Sequence, residues 1–156
     1  FTGIHDTIIH YLEKKYGLKV NLIPFKSAPQ LYPSLADGTL DLAFDSGLGQ
    51  YQAKIAGFRT LGYSSPYNFP TLKEYKNFAH EDPALEQIKG WFSIQVLKSA
   101  DPEWKKRMAA RLKFVVEQPK FKEHALANNS HVLGRTGKEL QDSIAKQKAA
   151  VEQYWK

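Results

Sequence analysis

The sequence predicts an α/β fold built around a parallel sheet. Three observations lead to this class. Segments of strand-like composition alternate with segments of helical periodicity through residues 1–65, the connections between them are short, and glycine or proline stands at many of the boundaries. Strands and helices that alternate with such short connections imply parallel pairing through right-handed crossovers.

The elements of the first half follow from these patterns in order. A helix is predicted between Thr2 and Gly17, because apolar residues recur there at helical spacing and Gly17 is a natural terminator. The next predicted elements are a strand over Leu18–Phe25, a helix from Ser27 to Gly38, a strand over Thr39–Ser46, a helix over 49–57 and a strand over Phe58–Ser65.

The second half has a different composition. Residues 66–83 are rich in turn-forming and aromatic residues and are predicted to be irregular. Ile88–Leu97 is the strongest strand pattern of this half, and three helices are predicted after it. They lie over 101–118, with Asp101 as cap and Pro102 in the first turn, over 119–129, and over 136–156, with Thr136 and Glu139 as a capping box.

Length and composition exclude several classes of protein. A chain of 156 residues with 42% hydrophobic residues is long and apolar enough to bury one core. It has no run of eighteen apolar residues, which excludes a membrane-spanning segment of that kind, and no cysteine, which excludes disulfides and thiolate metal sites. Because the chain starts at Phe1 without Met or a leader, we expect a processed or excised piece.

The net charge of +6 is unevenly distributed. Residues 1–75 hold seven Lys and Arg against six Asp and Glu, whereas residues 76–156 hold fifteen against ten. Much of the excess lies in 101–118, where basic residues alternate with apolar ones at helical spacing. This pattern predicts a solvated basic face on a helix that packs into the core. No groove-reading motif is present, so a nucleic-acid partner is not expected.

The sequence offers little support for catalysis or metal binding. The five histidines are scattered, no HExxH or GxSxG motif occurs, and no nucleophile has a partner nearby in sequence. We therefore predict no catalytic residue, no metal and no cofactor. Asp45-Ser46-Gly47 follows a predicted strand, where ligands bind in open parallel sheets, but it is equally compatible with a simple strand-to-helix turn.

Three turns share one chemical property. Thr2-Gly3, Lys26-Ser27-Ala28 and Asp45-Ser46-Gly47 each precede a predicted helix. Free backbone N–H groups and the positive end of a helix dipole attract anions, and small carboxylates suit such an array. The first half is nearly neutral, which favours a site made of amides and hydroxyls.

Several stretches, in their order along the chain, resemble the solute-binding proteins of tripartite tricarboxylate transporters. "LIPFKSAPQLYPSLADGTLDLAFDS" is similar to the family's "VPYKG…LLGGxVD…FD" core, and "IAGFRTLGYSSPYNFPTLKEY" to its "IKAGKLRxLAVTS…PTxxE" stretch. "WFSIQVLKSADPEWKKRMAARLKFVVEQPKFKEHAL" follows the family's C-terminal strand and helices, "LQDSIAKQKAAVEQYWK" resembles its last helix, and the opening "TGIHDTIIHYL" resembles its "GTGSxxH" turn.

The resemblance implies a periplasmic binding protein with two lobes. Such a protein closes around a small carboxylated solute, delivers it to a membrane permease and does no chemistry. Members hold the ligand carboxylate with main-chain amides, hydroxyls and waters. Carried over residue by residue, the ligand-binding candidates are Thr2, Gly3, Lys26, Ser27, Ala28, Asp45 and Ser46.

Members of this family are about twice as long as this chain. The resemblance therefore implies that residues 1–85 form the second, ligand-facing lobe, whereas 86–156 supply the return strand and C-terminal helices of the first lobe. The missing half of that lobe is expected to precede Phe1. Without it, the return strand with Trp91, Phe92, Ile94 and Val96 is partly uncovered, and self-association through this strand is expected.

Two other functions remain as alternatives. The basic helix 101–118 could bind polyanions as an interaction domain, with a steep dependence on salt. A small hydrolase would use Asp45 or His5 as part of an acid/base pair, which the sequence does not complete.

Overall fold

The structure is a computed structural model that describes residues 3–45 and 57–155, and helices dominate it. The prediction of a helix over 49–57 falls largely outside the described residues. The described helices are α1 (Ile4–Tyr16), α2 (Ala28–Ala36), α3 (Phe78–Glu81), α4 (Pro83–Gln87), α5 (Pro102–Glu117), α6 (Pro119–Ala127) and α7 (Gly137–Trp155). Two short strands, β1 (Gly62–Tyr63) and β2 (Lys76–Asn77), and one 3-10 turn, Pro70–Leu72, complete the described elements.

Two predicted helix boundaries, the end of α1 and the start of α5, are confirmed, and a capping residue stands at each. Gly17 ends α1 in the left-handed conformation, with φ of 65°. At the start of α5, the Trp104 amide donates to Asp101 Oδ1 at 2.7 Å, and Pro102 is the first helical residue. The capping box predicted at the start of α7 stays a prediction, and the carboxylate of Glu139 lies 3.3 Å from Arg135 Nε.

The predicted strands differ most from the structure. Neither Leu18–Phe25, nor the described part of 39–46, nor Ile88–Leu97 contains a strand, and Phe58–Ser65 is reduced to β1. A strand exists only where a neighbour completes its hydrogen-bond ladder, and the described residues supply one such pair. The amide of Val20, for example, donates to Glu13 Oε1 at 3.1 Å. The two-lobed fold itself stays a prediction.

The one described strand pair is parallel, with Gly62 opposite Lys76 and Tyr63 opposite Asn77. Glycine is required at the first of these positions. A Cβ on Gly62 would lie 2.6 Å from the Lys76 carbonyl oxygen and 2.6 Å from the ring of Phe78. Asn77 also connects the strand pair to the next helix. Its side chain accepts a hydrogen bond from the Ala79 amide at 3.2 Å and thereby caps α3.

The apolar stripe of α1 packs onto α3 and α4 as the helical spacing predicts. Tyr11, Ala79, Leu85 and Ile88 form the buried cluster. Around it, partly buried apolar side chains complete the packing: Ile4, Ile8, Leu12 and Ala84. The small core therefore joins the start of the chain to residues 79–88.

A buried carboxylate adds a polar tie between the same elements. Asp82 Oδ2 accepts hydrogen bonds from Tyr11 Oη at 2.5 Å and from Lys15 Nζ at 2.7 Å, while its Oδ1 caps α4 through the Ala84 amide at 3.2 Å. Burial opposes ionisation of Asp82, but these three donors outweigh it and lower the pKa of the carboxyl group. Burial and the bond to Asp82 raise the pKa of Tyr11, and the bond to Asp82 also raises the pKa of Lys15.

Helices α5 and α6 form a hairpin that packs loosely. Neither helix contains a buried residue, so the prediction that α5 packs its apolar stripe into a core is wrong. The hairpin is held to the rest of the chain after α6. There Asn129 accepts a hydrogen bond from Thr71, and the rings of Tyr67 and His131 lie 4.1 Å apart. In the part of the chain that the structure describes, no helix combines the length and the apolar character needed to cross a bilayer.

Candidate functional site

A groove lies between the N-terminal end of α1 and the C-terminal half of α7. It consists of two adjoining concavities of about 280 Å³ each, which we call together the α1–α7 groove. Gly3, Ile4 and Thr7 line it from α1, and residues 89–91 form the opposite rim. Helix α7 contributes its floor with Ile144, Gln147, Lys148, Val151 and Glu152.

Gln147 holds this groove together. Its Nε2 donates a hydrogen bond to the Lys89 carbonyl oxygen, and its Oε1 accepts one from Trp91 Nε1. A single amide side chain thereby fixes both ends of the 89–91 segment on α7. The indole of Trp91, which is 37% exposed, forms a wall shared by both concavities.

The turn at the start of α1 is closed by its own residues. The Gly3 amide donates to Asp6 Oδ2 at 3.0 Å, and Thr7 Oγ1 donates to the Gly3 carbonyl oxygen at 3.2 Å. Thr7 is almost fully buried, at 2% exposure. A carboxylate therefore already occupies the position that the sequence predicted for a ligand oxygen. The residues that line the groove beyond it include Lys89 and also Lys148 and Glu152, whose charged groups pair at 3.7 Å.

The second predicted turn offers fewer amide donors than its sequence suggests. Lys26 is exposed, and Ser27 is the N-cap of α2 without forming a side-chain cap. Ala28 begins the helix, but Pro29 has no N–H and the amide of Gln30 donates to the Ser27 carbonyl oxygen at 3.1 Å. The Ser27 hydroxyl therefore takes no part in capping α2.

Asp45 is hydrogen-bonded to a side chain of α2. Tyr32 Oη donates a hydrogen bond to Asp45 Oδ2, and the Tyr32 ring stacks on Phe58 at 6.1 Å between centroids. Burial and this hydrogen bond raise the pKa of Tyr32 to about 12. Tyr32 lies four residues beyond Ala28, or about 6 Å along the helix axis, so Asp45 is bonded to the middle of α2.

The predicted site residues therefore fall into two places. Gly3 lines the α1–α7 groove. Lys26, Ser27 and Ala28 lie at the start of α2, Asp45 is bonded to Tyr32 in the middle of this helix, and none of the four lines the groove. Thr2 and Ser46 lie outside the described residues. His5, the hydrolase candidate, lies in the first turn of α1, apart from the Tyr32–Asp45 pair.

No group of three or more His, Cys, Asp and Glu side chains that could hold a metal ion occurs within residues 3–45 and 57–155.

Sequence reasoning did not identify Lys89 or Gln147, and it placed Trp91 only in a strand. Gln147 has no local signature, because a glutamine on an amphipathic helix is ordinarily a solvated residue. Its role arises from contacts with Trp91 and Lys89, which lie 56 and 58 positions away in the sequence. Trp91 carries only a weak signal, because an indole N–H often finds an acceptor but the sequence does not show which residue supplies it.

Comparisons of this chain with models of protein families, with curated proteins and with solved structures give no match.

Proposed function

We propose that this chain belongs to a periplasmic binding protein that captures a small carboxylated solute and passes it to a membrane permease, without catalysing a reaction. The observation that carries the proposal is the α1–α7 groove. Its α1 wall comes from the segment 1–85, and its other lining residues come from 86–156. These segments are the two predicted units of the fold, and two-lobed binding proteins hold their ligands between such units.

The chemistry of the groove suits a carboxylate. The N-terminal end of α1 presents a positive dipole at Gly3, and Lys89, a basic residue, lines the same concavity. Trp91 offers an apolar face for the carbon part of a solute. Asp6 now accepts from the Gly3 amide, so a ligand carboxylate would take its place there.

The proposal is tested by thermal unfolding of the full chain with a panel of mono-, di- and tricarboxylates. A ligand present at a hundred times its dissociation constant raises the free energy of unfolding by about 2.7 kcal/mol. For any carboxylate that stabilises the chain, Lys89→Gln should weaken binding tenfold or more, because a hydrogen bond to a charged group contributes about 1.5–3 kcal/mol.

The matched control is Lys146→Gln, which removes an exposed amino group of α7 that does not line the groove. It should leave the affinity within about twofold, because Lys146 does not line the groove and salt screens the charge of an exposed amino group. Equal losses in both variants, or no stabilisation by any carboxylate, would contradict the proposal.

A further inference from the structure

The charged residues that line the α1–α7 groove leave one positive charge without a partner. Lys148 and Glu152 are one helical turn apart on α7, and their charged groups pair at 3.7 Å. Lys89 lines the concavity beside α1. Among the side chains that the structure describes, none forms an ion pair with Lys89. The lining of the groove can therefore balance a single negative charge of a ligand.

A second negative charge on a ligand would be opposed at the α1 end. Asp6 is not a lining residue, but its carboxylate accepts a hydrogen bond from the amide of Gly3, which lines the groove. A further carboxylate of the ligand would be repelled by Asp6 and would find no second unpaired cation in the lining to attract it.

The wall shared by the two concavities is mainly apolar toward a ligand. Trp91, Gln147 and Val151 line both of them. Gln147 already donates to the Lys89 carbonyl oxygen and accepts from Trp91 Nε1, and these bonds hold the indole on α7. The shared wall therefore offers a ligand the apolar side chains of Trp91 and Val151.

The two concavities have different chemistry at their outer ends. The one beside α1 is lined by Lys89, whereas the other is lined by Ile144 and by the mutually paired Lys148 and Glu152. None of the exposed residues 92–97 lines either concavity. Each has a volume of about 280 Å³, just below the range of about 300–1,000 Å³ that is usual for ligand sites, and together they fall within it. A ligand that fills the groove therefore spans both.

We infer, on the basis of the proposed function, that the groove selects a monocarboxylate with an apolar body, an aryl or branched alkyl acid, over di- and tricarboxylates. The carboxylate pairs with Lys89, while the apolar body covers Trp91 and Val151 and extends to Ile144. A second carboxylate on the solute would lie in the apolar part of the groove, where it loses water without gaining a partner.

The test is calorimetric titration of the full chain with phenylacetate, phenylacetamide, acetate and succinate. Relative to phenylacetate, these three compounds remove the charge, remove the apolar body, or replace that body by a second charge. Phenylacetate should bind at least about tenfold more tightly than each of the others, because only it combines a charge-assisted hydrogen bond with apolar burial. Its binding should also show a negative heat-capacity change, the mark of apolar burial.

Two variants assign the two parts of the ligand to the groove. Lys89→Gln should weaken phenylacetate binding tenfold or more and bring it close to that of phenylacetamide. Ile144→Ser should weaken phenylacetate binding at least about fourfold, the effect of one buried methylene, and leave acetate binding unchanged. The matched control is Ala145→Ser, at an exposed neighbouring position of α7 that does not line the groove, and it should bind phenylacetate as the parent does.

The outcomes separate this preference from the proposed function. Succinate or citrate binding as tightly as phenylacetate, and depending on Lys89, would overturn the preference and leave the proposed function standing. No binding of any carboxylate would contradict both. Equal affinities for phenylacetate and phenylacetamide, or equal effects of the two serine variants, would also overturn the preference.

Discussion

Tyr11 and Asp82 share a hydrogen bond of 2.5 Å across 71 residues of sequence. The same carboxylate accepts a hydrogen bond from Lys15 and caps α4 through the Ala84 amide. Both residues are only about 8% exposed, so water does not readily replace either partner of this hydrogen bond. The first helix is therefore attached to residues 79–88 by a polar contact inside an apolar cluster.

This network makes stability depend on pH at both ends of the scale. The folded-state pKa of Asp82 is lowered, so its contribution is present above about pH 4 and is lost as the pH falls through the lowered pKa. The pKa values of Tyr11 and Lys15 are raised, so their contributions are present below about pH 10 and are lost as the pH rises further.

We expect urea unfolding to give a plateau of stability between about pH 5 and 9, with a decline on either side. Asp82→Asn should lower the plateau by about 1–3 kcal/mol and flatten the acid decline, since one titrating group has been removed. Asp142→Asn, at an exposed surface pair with Lys138, should change neither. An acid decline as steep in Asp82→Asn as in the parent would assign the pH dependence to other carboxylates.

Asp6→Asn should have opposite effects on stability and on ligand affinity. The Asp6 carboxylate accepts from the Gly3 amide at the N-terminal end of α1, and its loss should cost about 0.5–1 kcal/mol of unfolding free energy. The same change replaces the competing carboxylate by a neutral amide, whose oxygen is a weaker acceptor and no longer repels an anion, so the affinity for a carboxylate should rise several-fold. Parallel thermal unfolding and calorimetric titration measure both quantities. A loss of affinity would show that Asp6 does not compete for this position.

Gln147→Ala should release the 89–91 segment from α7. The variant loses the bonds to the Lys89 carbonyl oxygen and the Trp91 indole, and we expect a cost of about 1–3 kcal/mol. Amide hydrogen exchange at residues 89–91 and a red shift of the tryptophan fluorescence report the release. Gln141→Ala changes an exposed glutamine of the same helix and should leave both signals unchanged. Unaltered exchange in Gln147→Ala would mean that apolar packing alone holds the segment.

Two glycine substitutions should differ sharply. A Cβ at Gly62 meets the Lys76 carbonyl oxygen and the Phe78 ring at 2.6 Å, so Gly62→Ala must separate β1 from β2. We expect a cost of about 1–3 kcal/mol, the usual range for overpacking. At Gly3 an added Cβ meets nothing within 4 Å and φ is −88°, so Gly3→Ala should cost well under that amount. Chemical denaturation of both variants compares them directly.

Local sequence signals predicted the helices well and the strands poorly. Asp101, Pro102 and Gly17 act on their own neighbours, so their effects can be read from a few adjacent residues. The alternating residues of Leu18–Phe25 satisfy only one requirement of a strand. The other is a partner elsewhere in the chain, which no local pattern reveals.

In the candidate site, too, local features were predicted and contacts between distant residues were not. Gly3 was predicted because a helix start is a local feature, and it lines the α1–α7 groove. Lys89 and Gln147 were missed because their contact spans 58 residues and neither belongs to a recognisable motif. The exposed aromatic residues of α5 were also missed, because helical periodicity identifies an apolar stripe but does not tell whether anything covers it.

The contact of α1 with α7 also has a consequence for how the chain folds. Gly3 and Val151 line one cavity, so the groove closes a loop that contains nearly the whole chain. Closing so long a loop is entropically costly and is compensated only when both helices are already formed. We therefore expect this pairing late in folding, after the local contacts of α3 with α4 and of α5 with α6. The groove would then be absent from partly folded chains, and any ligand that binds it would select the completed fold.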